Sequence, residues 1–242
     1  STFGPITAGA GYSNNQNLDV NANEVHISLE LAGGISPTGG DSLRINGGQD
    51  VYVATVQGDL DFVKLEAWYV GLQNTFNSYT LAATGKLDIA EHATLGLEAR
   101  YVALNLTDDV IVTRNNHRAG VSGVSNNGGA DNGMFRLAVD GKFSIVNARL
   151  AYTMTDKDGG LTALDQDAKN TSLGWFITSN GVADADYFQG ALGVDILDNH
   201  NLTGHYGQLK ADGSDKKTIN NAVKFNTLTS VYDQELKQKE YY

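Results

Sequence analysis

The feature that most limits what this chain can fold into is a two-residue alternation, repeated in several segments too regular to be loop. From Ala93 to Tyr101, the residues Ala93, Leu95, Leu97, Ala99 and Tyr101 share one side, and Thr94, Gly96, Glu98 and Arg100 the other. Successive side chains of a strand point to opposite faces, so this segment reads as a strand with one apolar and one polar face. Phe135, Leu137, Val139, Gly141 and Phe143 alternate in the same way with Arg136, Ala138, Asp140 and Lys142. Val146, Ala148, Leu150, Tyr152 and Met154 do so against Asn147, Arg149, Ala151 and Thr153, and Val63, Leu65, Ala67 and Tyr69 against Lys64, Glu66 and Trp68. Weaker candidates cover 5–12, 24–32, 50–57, 78–87, 186–196, 201–209 and 222–232, for a total of about eleven strands. Helices are nearly absent. The one short candidate, Asp233 to Lys239, reads equally well as a frayed charged tail.

Connection lengths alternate too. Short links fall at 58–61, 88–92, 144–145 and 197–200, and longer ones at 33–49, 72–77, 105–132, 156–185 and 210–221. Apart from 72–77, the long ones are rich in Gly, Asn, Asp, Ser and Thr, which satisfy turn geometry and stay solvated. Short links at one end and long ones at the other are what an antiparallel up-and-down barrel produces when one rim is plain and the other elaborated. No linker with a change of composition interrupts residues 1–242, so they read as a single domain.

Alternation also fits a soluble sandwich, and the contents of the two faces bear on the choice. Strand centres carry Lys64, Glu66, Glu98, Arg100, Arg136, Asp140, Lys142 and Arg149 on one face, with Leu, Val, Ala and Tyr on the other. In a sandwich those charges would face bulk water; in a membrane barrel they would face a wet lumen while the apolar face meets lipid. Tyr69, Tyr79, Tyr101, Phe135, Phe143, Tyr152 and Phe188 lie mainly near strand ends, as expected for rings at headgroup depth. Small Ala and Gly residues are abundant on both faces and fill a tight two-sheet core poorly. A mean hydropathy of −0.27, with no run near the roughly 18 apolar residues of a spanning helix, is compatible with a membrane barrel.

Other classes are excluded on chemistry. A formal charge of −11 repels phosphate, which argues against nucleic acid as a partner. The absence of cysteine removes disulfides, thiolate metal sites and cysteine nucleophiles. His26, His92, His117, His200 and His205 lack paired metal-ligand spacing, and no nucleophile elbow, P-loop or dinucleotide motif occurs. Adjacent carboxylates such as Asp108 and Asp109 would point to opposite sides of a strand, which suits no shared acid–base work. No catalytic constellation is present. Asn105, Asn170 and Asn201 begin sequon triplets of a kind common by chance.

The segments Asp50-Val51-Tyr52-Val53-Ala54, Phe62 to Tyr69, Leu95 to Val102, Asn132 to Leu137, Asn147 to Tyr152 and Phe188 to His200 resemble the Campylobacter-type (epsilonproteobacterial) major outer membrane porins. The resemblance spans about residues 50–232. It implies an all-β, antiparallel up-and-down transmembrane β-barrel in the bacterial outer membrane, in contact with outer-membrane lipid and assembled as a homotrimer. It also implies a water-filled channel for passive diffusion of ions and small hydrophilic solutes, with a preference for cations, no enzymatic activity, and calcium near the constriction in some members. In length the chain resembles the later part of such a porin, either a partial barrel or a smaller relative closing with about twelve strands. The segment Glu235 to Tyr242 ends on an aromatic residue but lacks the alternation of a closing strand. A surface-attached or soluble β-sandwich or β-solenoid adhesin that binds glycans is the rival reading, supported by the Asn, Gly and Asp of the loops.

As a pore wall, Lys64, Glu66, Glu98, Arg100, Arg136, Asp140, Lys142 and Arg149 would set up a transverse field that orders water and discriminates by charge. Otherwise they are ordinary salt bridges between neighbouring strands. Long loops folded inward would narrow the pore, so Asp108, Asp109, Asp131, Asp156 and Asp158 could set cation preference or offer oxygen ligands to calcium; the alternative is a solvated acidic rim. Asp156-Lys157-Asp158-Gly159-Gly160 matches part of a calcium loop, but Asp167 stands where the loop needs its glutamate. Trp175-Phe176-Ile177 reads as packing for its loop or a contact with a neighbouring subunit.

Overall fold

The computed structural model describes residues 1–14, 50–107, 130–163, 169–174, 177–197, 200–211 and 236–241. They form eleven strands: β1 (Thr2–Phe3), β2 (Ile6–Ser13), β3 (Val51–Leu60), β4 (Val63–Leu72), β5 (Phe76–Ala90), β6 (Ala93–Leu106), β7 (Asp131–Phe143), β8 (Val146–Thr155), β9 (Ala185–Leu197), β10 (His200–Ala211) and β11 (Leu236–Tyr241). All belong to one sheet whose spatial order is the chain order, each pair antiparallel. The outermost strands are β1 and β11, which do not pair with each other among the described residues.

Because the side-chain period is two, the register fixes which residues share a face. One row across the sheet runs Gln57, Glu66, Ala82, Arg100, Arg136, Thr153, Tyr187 and Leu209. The next runs Asp59, Lys64, Thr84, Glu98, Ala138, Ala151 and Gln189. Asp140, opposite Arg149, and Lys142, opposite Asn147, follow on the same face. All eight charged strand residues singled out above therefore lie on one side of a single sheet.

The opposite side is apolar and open. Leu97, Leu137, Leu150 and Leu192 are exposed, Leu150 by 57% and Leu137 by 46%. Among the described residues no second layer covers them, so the sandwich expectation fails: its core would have buried these leucines. An aromatic band crosses this face near the long-loop rim, through Tyr12 and Tyr52, Tyr69 and Tyr79, Tyr101 and Phe135, Tyr152 and Phe188, and Tyr206 and Tyr241. Three of its pairs bring ring centroids within 5.2–5.4 Å. Phe62, Phe143 and Ile145 are exposed at the short-turn rim.

Among the described residues four hairpins at the plain rim close in two residues, at 4–5, 61–62, 91–92 and 144–145. Asp61 and Ser144 take left-handed backbone conformations (φ 59° and 53°), which short polar side chains tolerate. Two expectations are corrected. The link at 72–77 is a tight turn, with β4 and β5 separated only by Gln73, Asn74 and Thr75, the Thr75 N–H donating to the Leu72 carbonyl at 3.0 Å. The helix over 233–239 is not formed: Leu236–Tyr241 pairs with β10, Tyr241 opposite Tyr206 and Leu236 opposite Ala211. Helix propensity is a weak preference, and the open ladder of β10 outweighs it. The candidate strands 24–32 and 222–232 lie outside the described residues.

Candidate functional site

The described residues of the β8–β9 connection, 156–163, 169–174 and 177–184, fold over the polar face of the sheet. Its two ends meet at a narrow neck, where the Thr155 hydroxyl donates to the Val182 carbonyl at 2.6 Å and accepts from the Ala185 N–H at 2.9 Å. Gly160 passes so close that a Cβ there would stand 1.9 Å from the Val182 carbonyl oxygen, which demands glycine. Beyond the neck the loop is cross-braced. Asn180 Oδ1 accepts from the N–H groups of Thr162 and Ala163 at 3.0 and 3.2 Å, and its amide donates to the Ala163 carbonyl at 2.8 Å. Ser172 and Ser179 exchange backbone-to-hydroxyl bonds at 3.0 and 2.8 Å. Leu161, Thr162, Thr171, Ser179, Asn180, Val182 and Ala183 are buried. The described carboxylates Asp156 and Asp184 stay exposed at the neck, whereas Asn, Ser and Thr side chains satisfy the backbone of the rest internally, which lets it pack.

Under the loop, Arg100 and Arg136 face each other across the β6–β7 ladder. Directly opposed like charges repel, and two neighbours offset this. Glu98 accepts from Arg136 Nε at 3.0 Å and Nη2 at 2.5 Å, and its Oε1 lies 3.5 Å from Arg100 Nε. The loop supplies the rest: Arg136 Nη1 donates to the Thr171 carbonyl, and Arg100 Nη1 to Asn170 Oδ1 at 3.2 Å. Arg136 is left 1% exposed. Nearer the plain rim the same face is open. Arg149 grips Asp140 through two bonds of 2.6 and 3.2 Å, Lys142 stands 3.4 Å from Asp195, and Lys64 stands 3.1 Å from Glu66. Lys86, Asp140, Arg149, Gln189 and His205 border a concavity of about 490 Å³ there.

The loop carboxylates fall elsewhere. Asp131 begins β7 on the apolar side, exposed, and accepts from the Asn105 amide at 2.6 Å. Asp156 is exposed at the neck, where its Oδ1 accepts from the Asp158 N–H at 2.9 Å. Asp108 and Asp109 lie outside the described residues, as do Asp165, Asp167, Trp175 and Phe176. Ile177 packs on a cluster of Val182, Ala185, Tyr187, Leu209 and Ala211. Sequence reasoning missed Asn170, Thr171 and Glu240. The first two sit in a sequon-like triplet with no periodicity. Glu240 sits in a segment read as tail, and is buried on the polar side of β11, accepting from the Tyr187 hydroxyl and, at 2.9 Å, from the Ile177 N–H. Among the described residues no three His, Asp or Glu side chains gather in a way that could hold a metal ion.

No protein-family model matches the chain, and no curated protein matches it in sequence. Solved structures do. The outer membrane protein OprD from Pseudomonas aeruginosa superposes with a TM-score of 0.60 at 14% identity, over 100% of this chain and 54% of that one. Pseudomonas aeruginosa OpdL gives 0.57 at 14% identity, over 87% and 52%, and Acinetobacter baumannii OccAB3 gives 0.52 at 11%, over 79% and 43%. The chain spans about half the length of the first two. At such identities the likeness speaks for architecture alone, and what it shows is an antiparallel up-and-down barrel wall of the kind found in these outer-membrane proteins.

Proposed function

We propose that this chain forms part or all of a porin in a bacterial outer membrane, providing a water-filled channel for passive diffusion of ions and small hydrophilic solutes. The observation that carries this reading is the contrast between the two sides of one sheet. Large apolar side chains stand exposed on one side, banded by aromatics, as lipid contact requires; a water-soluble protein would hide so extended a surface. The other side carries both signs of charge and a loop folded upon it, as a narrowed aqueous lumen requires. Residues 1–242 act as one domain, and no residue performs chemistry: the wall supplies polar contacts and a field.

The finer parts of the proposal rest on the resemblance. The strand sequences 50–54, 62–69 and 188–200 support a Campylobacter-type porin, and with it trimeric assembly and a preference for cations. The concavity bordered by Asp140 and Arg149 is where permeating ions would meet the field. The test is expression of the full chain followed by extraction and reconstitution. A porin requires detergent, migrates differently on gels before and after heating, and gives ohmic conductance in planar bilayers, with a reversal potential under a salt gradient that reports cation preference. A monodisperse protein in plain buffer without conductance would overturn the reading.

A further inference from the structure

The charged residues of the polar face divide by what they bond to. Arg149 pairs with Asp140 and Lys142 with Asp195, and Asp140, Arg149 and Lys142 border open space. Arg100 and Arg136 instead spend donors on the loop. Asn170 is the centre of that joint: its Nδ2 donates to Thr80 Oγ1 at 3.0 Å, its Oδ1 accepts from Arg100, and its carbonyl accepts from the Thr162 hydroxyl at 2.5 Å. Thr171 follows with its carbonyl on Arg136. A second joint lies across the sheet, where Glu240 receives the Ile177 N–H and the Tyr187 hydroxyl. Gly174 and Gly207 make room there: a Cβ on either would come within 2.8 Å of Glu240 Oε1. The loop is thus held from β5, β6 and β7 on one side and from β9 and β11 on the other.

Building on the channel reading, we propose that Arg100 and Arg136, with Asn170 as the loop's half of the joint and Glu240 as the opposite anchor, are positioning residues that set the aperture by holding the described parts of the β8–β9 connection, whereas Asp140, Arg149 and Lys142 present the charges that permeating ions meet. The chemistry supports the division. Two opposed guanidiniums with one shared carboxylate leave the wall with an excess of donors, and the loop answers with neutral oxygens. Such oxygens compensate the arginines without adding charge to the lumen. A guanidinium bonded to the loop and buried beneath it has little to offer a solute, whereas Arg149, although paired with Asp140, stays open to water.

Asn170 carries no charge, so the two roles separate experimentally. Asn170→Ala leaves every lumen charge in place, and an untethered loop should raise single-channel conductance by about twofold and add open-channel noise, since aperture governs flow through a pore. Arg100→Lys keeps the charge but loses the fork geometry and should behave in the same way. Wild-type conductance in both variants would overturn the proposal. The chain has no cysteine, so Thr80→Cys with Asn170→Cys creates the sole thiol pair. Bridging that pair with a short bis-methanethiosulfonate should restore wild-type conductance, reversibly on reduction. Bridging yield, read by mass spectrometry on the same preparation, reports the joint without reference to transport. A high yield in a protein that conducts nothing would overturn the channel reading and leave the joint standing, whereas a negligible yield in a conducting protein would overturn the joint.

Discussion

Two ion-pair groups on the same face of the same sheet have opposite circumstances. Glu98, Arg100 and Arg136 lie beneath the folded loop, and Arg136 is 1% exposed; Asp140 and Arg149 have side chains 48% and 42% exposed. The residue types are alike, and Asp140 lies only four positions along β7 from Arg136. What separates them is coverage. A covered charge loses water and must be paid back in hydrogen bonds, so losing one partner costs far more than losing an exposed pair that water can replace. Covered groups therefore shape the loop's seat, while open groups stay exposed to water.

Four substitutions probe that contrast, each measured by denaturant unfolding of the full chain in detergent. Gly160→Ala should have the largest effect, on the order of 4 kcal/mol, because its Cβ has nowhere to go without moving the Val182 carbonyl and with it the neck of the loop. Glu98→Gln comes next at about 3 kcal/mol, since it removes the carboxylate charge shared by two guanidiniums under the loop. If that variant were as stable as wild type, the covered cluster would be no different from the open one. Asp140→Asn should cost less than ~1 kcal/mol and yet shift the reversal potential toward anions. A large loss of stability there with unchanged selectivity would reverse the assignment of roles. Lys142→Gln should be the mildest, within a few tenths of a kcal/mol, because its pair with Asp195 is exposed on both sides.

The arrangement of strands was legible because period-two alternation is a local property. Leu95, Leu97, Leu137 and Leu150 could be placed on one face, and Glu98, Arg136 and Arg149 on the other, without knowing any neighbour. The same rule explains the failure at Leu236–Tyr241. That segment has no alternation of its own, and only the edge of β10 makes it a strand. The turn at Gln73–Thr75 was misjudged for a related reason: it is flanked by residues that could equally have been loop, and cross-strand register decides where pairing stops. The loop joint was illegible altogether. Asn170 lies 90 positions from Thr80 and 70 from Arg100, and Ile177 lies 63 from Glu240, separations at which no spacing rule operates.

By itself, the sequence determined that the chain is a ladder of strands with one apolar and one charged face, because each side chain's direction follows from its neighbours along the backbone. Only the tertiary structure decided which charges are covered and which stay open to water. That depends on where a long polar connection comes to rest, and its resting place is set by hydrogen bonds between residues far apart in the chain.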